Sequence, residues 1–175
     1  KEMPKNGPEA YYYENMHRSR VVNWKDGIKV SEKYFFEDGQ TVSSEINYDK
    51  LGKRHGKSSR FYTNGTLGIE EYFKNGFNHG KTTYFHSNGQ KLVEINYLDG
   101  YRVGKYTRWR EDGKKSAEGH YKDGMKDGRW AREKIIGTEW HEAEFKDDVC
   151  ISGHYPDDPD LYEPVTFDIN APWAR

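Results

Sequence analysis

The chain has little of what holds most folds together. One of its 175 residues is a cysteine, Cys150, so no internal disulfide framework exists, and nothing about compartment follows from it. No apolar run approaches the ~20 residues of a membrane span. An excess of one charge is also missing. The 28 basic and 29 acidic residues are mixed along the chain and the net charge is −1. Nucleic acid or an acidic lipid surface would require a basic field, so neither is an expected partner. Helical periodicity is absent throughout. The chain begins at Lys1, which fits either a periplasmic or envelope protein after removal of a signal peptide or anchor, or a cytoplasmic one.

Hydrophobic residues make up 33% of the chain, no more than the charged ones. That balance would mean disorder if aromatics were scarce. Yet the chain has 14 Tyr, 8 Phe and 5 Trp. A chain that is polar on average and dense in rings folds as a thin architecture in which the rings supply the buried area.

Self-similarity decides which architecture. Gly52, Gly76, Gly100 and Gly124 stand 24 residues apart, as do Gly56, Gly80, Gly104 and Gly128, and Gly65, Gly89, Gly113 and Gly137. Eight residues after the third glycine comes a ring, Phe73, Tyr97, Tyr121 or Phe145, a column that Tyr48 and Trp24 continue upstream. Four residues before each turn stand Tyr12, Phe35, Phe61, Phe85 and Trp109. Five residues after it stands a glutamate, Glu70, Glu94, Glu118 or Glu142, and Glu45 joins them after a shift of register. The unit around Gly39 needs one or two extra residues.

Six units follow, the first and last degraded as terminal caps are. Asn-Gly and Asp-Gly between alternating residues signal hairpins. The paired glycines in "KNGFNHGK" suit a longer second loop. In "KLVEINY", Val93, Ile95 and Tyr97 share one face, and Leu92, Glu94 and Asn96 the other. The expected fold is all-β, an elongated, curved antiparallel hairpin ribbon of about twelve strands. Its expected parts are a degenerate N-terminal repeat over 1–33, four repeats over 34–130, a degenerate C-terminal repeat over 131–153 and a proline-rich segment over 154–175. Prolines 156, 159, 164 and 172 forbid ladder pairing in that last segment, and its Leu161, Tyr162, Phe167 and Trp173 are too apolar for a free tail. It either lies back on the ribbon or forms an arm that grips a partner.

"GKSSRFYTNGTLGIEEYFKNGFNHGK", residues 56–81, carries Gly-Lys, an aromatic pair, Asn-Gly, a glutamate and a closing glycine. It resembles the MORN repeat variant, and within it the YwqK-like group of bacterial antitoxin repeat proteins. The likeness covers residues 34–130. On either side Met16, Ser31, Asp148 and Ser152 replace glycines. The resemblance implies an antiparallel hairpin ribbon and neutralisation of a toxin by binding, with a protein toxin encoded by a neighbouring gene as partner. It implies a probable monomer and no cofactor. The alternative is a MORN-type structural scaffold that self-assembles or lies near a membrane.

No catalytic constellation competes with that reading. His55–Lys57 and His79–Lys81 share the His-Xaa-Lys spacing of phospholipase D enzymes, but Tyr62 and His86 stand where that chemistry needs aspartate. Nucleotide-binding glycine motifs and a nucleophile elbow are missing. Cys150 and His154 lack the spacing of a zinc site, so no metal is expected. The candidate partner-binding residues are Glu45, Glu70, Glu94, Glu118 and Glu142, with Asp157, Asp158 and Asp160 of the C-terminal segment. The glutamates either form an acidic ladder for a basic partner or a solvated face neutralised by neighbours such as Arg60, Lys91 and Arg108.

Overall fold

The computed structural model describes residues 3–133 and 139–155. Every regular element among them is a β-strand, and every strand pair with a described register is antiparallel. The described residues divide into two compact units, 3–77 and 78–155.

The first unit holds β1 (Gly7–Tyr12), β2 (Arg18–Lys25), β3 (Ile28–Phe35), β4 (Val42–Asn47), β5 (Gly56–Phe61) and β6 (Leu67–Lys74), each paired to the next in sequence. A two-residue strand, β7 (Phe77–Asn78), falls at the boundary. The second unit holds β8 (Gly80–Phe85), β9 (Lys91–Leu98), β10 (Tyr101–Trp109), β11 (Lys115–Lys122), the two-residue β12 (Met125–Lys126), β13 (Gly128–Glu133), β14 (Trp140–Lys146) and β15 (Val149–Gly153). Its order is β8-β9-β10-β11-β13-β14-β15, with β12 beside β11. The six expected hairpins supply twelve strands, as the period implies. β15 is an addition, while β7 and β12 are the leading ends of the β8 and β13 arms.

Two kinds of turn alternate. At the hairpin tips the glycine amide donates to the carbonyl three residues back, as Gly65 does to Tyr62, while Tyr62 N–H reaches Thr66 across the loop. This is a type I turn closed by a left-handed residue. The preceding Asn or Asp steadies it: Asn64 Oδ1 accepts from Thr66 N–H at 2.9 Å and Asp112 Oδ1 from Lys114 N–H at 2.9 Å. Met16 takes the glycine's place in the first tip with φ of 63°.

The second connection differs from expectation. It is no long loop but a tight two-residue turn, with both residues at positive φ, as in Asn75-Gly76 and Asp99-Gly100. The later glycine of each pair belongs to the following strand, where Gly56, Gly104 and Gly128 sit at positive φ. In the last repeat that conformation falls on Gly153 rather than Ser152. The Asp49–Lys53 loop is one residue longer than these turns, and the 36–41 tip is one longer than 62–66. Those two insertions are the extra residues of the Gly39 unit.

Successive turns lean on one another. Gly27, Gly76, Gly100 and Gly124 each donate their amide to the carbonyl 22 residues earlier, of Lys5, Arg54, Asn78 and Arg102, at 2.8–2.9 Å. Asp148 does the same to Lys126. Stacking is therefore carried partly by backbone, which leaves the strand side chains free to vary.

Candidate binding surfaces

Strand alternation puts two faces on each unit. One carries the ring column Trp24, Tyr48, Phe73, Tyr97, Tyr121 and Phe145. In most hairpins the ring lies across from a strand glycine: Gly7 faces Trp24, Gly56 faces Phe73, Gly80 faces Tyr97, Gly104 faces Tyr121 and Gly128 faces Phe145. An aromatic beside a bare glycine covers backbone that would otherwise be wet. A cation then caps many of the rings, Lys5 over Trp24 at 4.6 Å, Lys29 over Tyr48 at 4.0 Å, Arg54 over Phe73 and Arg102 over Tyr121.

Next to that column runs a central row whose contents change along the chain. In the first unit Glu9 faces Val22, Glu32 faces Ile46 and Ser58 faces Glu71. Glu32 is buried, accepts from the Tyr48 hydroxyl at 2.5 Å and has Lys29 at 3.3 Å and Arg20 at 3.6 Å. Burial pushes its carboxyl up, but the Tyr48 hydroxyl and the two cations outweigh this and hold it below its ordinary range. Burial and the same carboxylate push the Tyr48 phenol well up. Glu9, hydrogen-bonded first by Lys5 and then by Tyr11, is held down to about 2. Glu71, also buried, takes Arg60 at 2.9 Å.

In the second unit Thr82 faces Ile95, Tyr106 faces Gly119 and Trp130 faces Ala143. Here the row is a ring cluster. Trp130 is 0% exposed, and Tyr106, Tyr121 and Phe145 surround it at centroid distances of 5.3, 4.9 and 6.4 Å. Its indole N–H donates to His120 O at 3.1 Å. Gly119 makes the room: a Cβ there would stand 2.1 Å from Trp130 Cδ2.

The expected glutamate ladder lies on the other face. In the second unit Thr83, Glu94, Thr107, Glu118, Ala131 and Glu142 form one row across five neighbouring strand pairs. The first unit places Lys33, Glu45, Ser59 and Glu70 in the same way. Every second residue of the row is small, so each carboxylate stands roughly 10 Å from the next, two strand spacings away.

Each is ion-paired: Glu45 with Lys33 at 2.7 Å, Glu70 with Lys57 at 2.5 Å, Glu94 with Lys91 and Lys81, Glu118 with Lys115, and Glu142 with Arg129. The neutralising cations are thus mostly these rather than Arg60 and Arg108, which alternation places on the ring face beside Ser58 and Tyr106. Lys91 holds Glu94 below its ordinary range, and Arg129 does so for Glu142. The glutamate side chains remain 25–53% exposed. Asp157, Asp158 and Asp160 lie outside the described residues.

The aromatics before the tips are also relocated. Phe61, Phe85 and Trp109 alternate onto the glutamate face, where Lys91 lies 5.7 Å over Trp109 while binding Glu94. The ladder therefore shares its face with one ring column and opposes only the other.

Three features escaped the sequence reading: the capping column Arg54, Asn78, Arg102 and Lys126, the basic column Arg60, Arg108 and Arg132, and the exposed apolar column Phe77, Tyr101, Met125 and Val149. All keep the 24-residue step or its double, so columns of cations and exposed apolar residues were the missed signal. Among the described residues no group of three or more His, Cys, Asp or Glu is arranged to hold a metal ion. His55 and His79 are the residues before strand glycines, and His79 Nδ1 lies 3.1 Å from Asp99.

Residues 54–75, 78–99 and 102–123 match the MORN repeat variant. No curated protein matches the chain.

Proposed function

We propose that this chain is a non-enzymatic binding protein that neutralises a cognate bacterial toxin or effector by covering it, as an antitoxin or immunity protein. Three MORN-variant repeats make a β-repeat interaction scaffold the natural premise. The observation that carries the reading is the second unit's ladder of Glu94, Glu118 and Glu142, evenly spaced, partly exposed and separated by small residues. A flat face of that kind engages a broad basic surface, and its charges speed association and set register more than they add affinity. Neutralisation would be steric. The partner is a protein, in the first instance the product of a neighbouring gene.

Co-expression with that product tests the reading. A stable complex and rescued growth are expected, with Glu94→Lys/Glu118→Lys slowing association and flattening its salt dependence. Absence of both complex and protection overturns it.

A structural scaffold is the second reading, favoured by the exposed β15, last in the strand order, whose Val149 and Ile151 are about three-fifths exposed. Concentration-dependent growth in light scattering would support it, and a monomer at all concentrations would remove it.

A further inference from the structure

The ring face of the second unit is one-signed. It carries Arg102, Arg108, Lys126 and Arg132, while every Asp and Glu of the described strands β8–β14 alternates onto the opposite face. The cations are seated on rings: Lys126 Nζ lies 4.9 Å from the Trp130 and Phe145 centroids and 4.7 Å from that of Tyr155, and Arg132 lies 5.8 Å from Tyr155. Like charges gathered over a low-dielectric ring cluster attract a compensating anion.

The chain itself arrives at this face carrying one. After β15, His154 N–H donates to Glu142 O at 3.0 Å, and the Tyr155 ring meets Phe145 at 5.6 Å and Trp130 at 6.2 Å, edge-on to both. The residues that follow are Pro-Asp-Asp-Pro-Asp-Leu-Tyr-Glu, with four carboxylates at 157, 158, 160 and 163 and no Lys or Arg before Arg175. Arg132 and Arg108 lie on strands two spacings apart, roughly 10 Å. Five residues of extended chain reach up to ~17 Å, enough to carry Asp160 from Tyr155 across that span.

We propose that the acidic segment 157–163 docks back over this face, with Tyr155 as its anchor and its carboxylates on Arg132, Lys126 and Arg108. The ring face is then filled from within, and the glutamate face is the one left open. The inference stands independently of the proposed toxin partner.

Carbodiimide cross-linking of the full chain, mapped by peptide mass spectrometry, tests it. The expected product is a bridge from Lys126 to Asp157, Asp158, Asp160 or Glu163 within monomeric protein. Its yield should fall several-fold in high salt. Asp157→Asn/Asp158→Asn/Asp160→Asn/Glu163→Gln, which alters no residue of the described strands, should abolish it. A bridge found only in the dimeric product would assign the face to a second copy and overturn the proposal. So would the absence of a Lys126 bridge together with tail amides that exchange as fast as in a free peptide, which would leave the face to an external acidic ligand.

Discussion

In the first unit the central row of the ring face holds Glu9, Glu32 and Ser58, and in the second it holds Thr82, Tyr106 and Trp130. The backbone plan is the same, with glycine amides reaching the carbonyl 22 residues back in both. What differs is how the row is filled. The first unit buries carboxylates and satisfies them with Tyr48, Lys29, Arg20 and Arg60, while the second buries rings. Cross-strand partners compensate in size: the two largest rings face Gly119 and Ala143, and Glu32 faces Ile46. Turns and glycines set the backbone. Chemistry in the row is then free to vary, provided each polar group finds a partner and each ring finds room.

Breaking the ring cluster should have the largest effect. Trp130→Ala removes a fully buried indole and leaves a cavity among Tyr106, Tyr121 and Phe145, and is expected to cost about 3–5 kcal/mol in urea unfolding of the second unit. Gly119→Ala, which drives a methyl into the same indole, should cost about 1–3 kcal/mol or more.

Glu32 tests the other strategy. Glu32→Gln leaves Lys29 and Arg20 facing a neutral amide and should cost about 1.5–3 kcal/mol, read from amide exchange of β2–β4. The pH dependence follows from the direction of its shift. Its folded carboxyl titrates below the unfolded value, so the stabilisation is complete above the ordinary glutamate range, ~pH 4–5, and fades as pH falls through the folded value. Acidification should therefore loosen β2–β4 before the ring cluster of β10–β13, and the reverse order would contradict the contrast.

Thr82 sharpens the comparison from the other side. Its hydroxyl is buried without a hydrogen-bond partner, at the row position that Tyr106 and Trp130 occupy further on. Thr82→Val is expected to be neutral or to stabilise by up to ~1 kcal/mol, read as a rise in Tm. The smallest effect belongs to the ladder: Glu118→Gln breaks an exposed pair and should change stability by less than ~0.5 kcal/mol.

The period, the hairpins and the membership of each column were legible because glycine at positive φ has few substitutes, so turns print themselves on the sequence. The face of Phe61, Phe85 and Trp109 was not legible. A ring four residues before a turn and a ring eight after it look alike in sequence, and the alternation between them decides their sides. The second connection was misread for a related reason. Two glycines four apart look like one loop, whereas Gly76 closes a turn and Gly80 opens a strand. The glutamate ladder was visible, but its pairing was not, because Lys57 and Lys81 come from the neighbouring strand rather than from the sequence vicinity.

Hydrogen exchange at the turn glycines bears most directly on the stacked-hairpin plan. Amides at the tips of two-residue turns ordinarily face water and exchange quickly. Here those of Gly27, Gly76, Gly100 and Gly124 are bonded to the repeat before, so all four should be protected together with the strands they join. Four turn glycines exchanging at the rate of a free peptide would mean that the repeats do not stack.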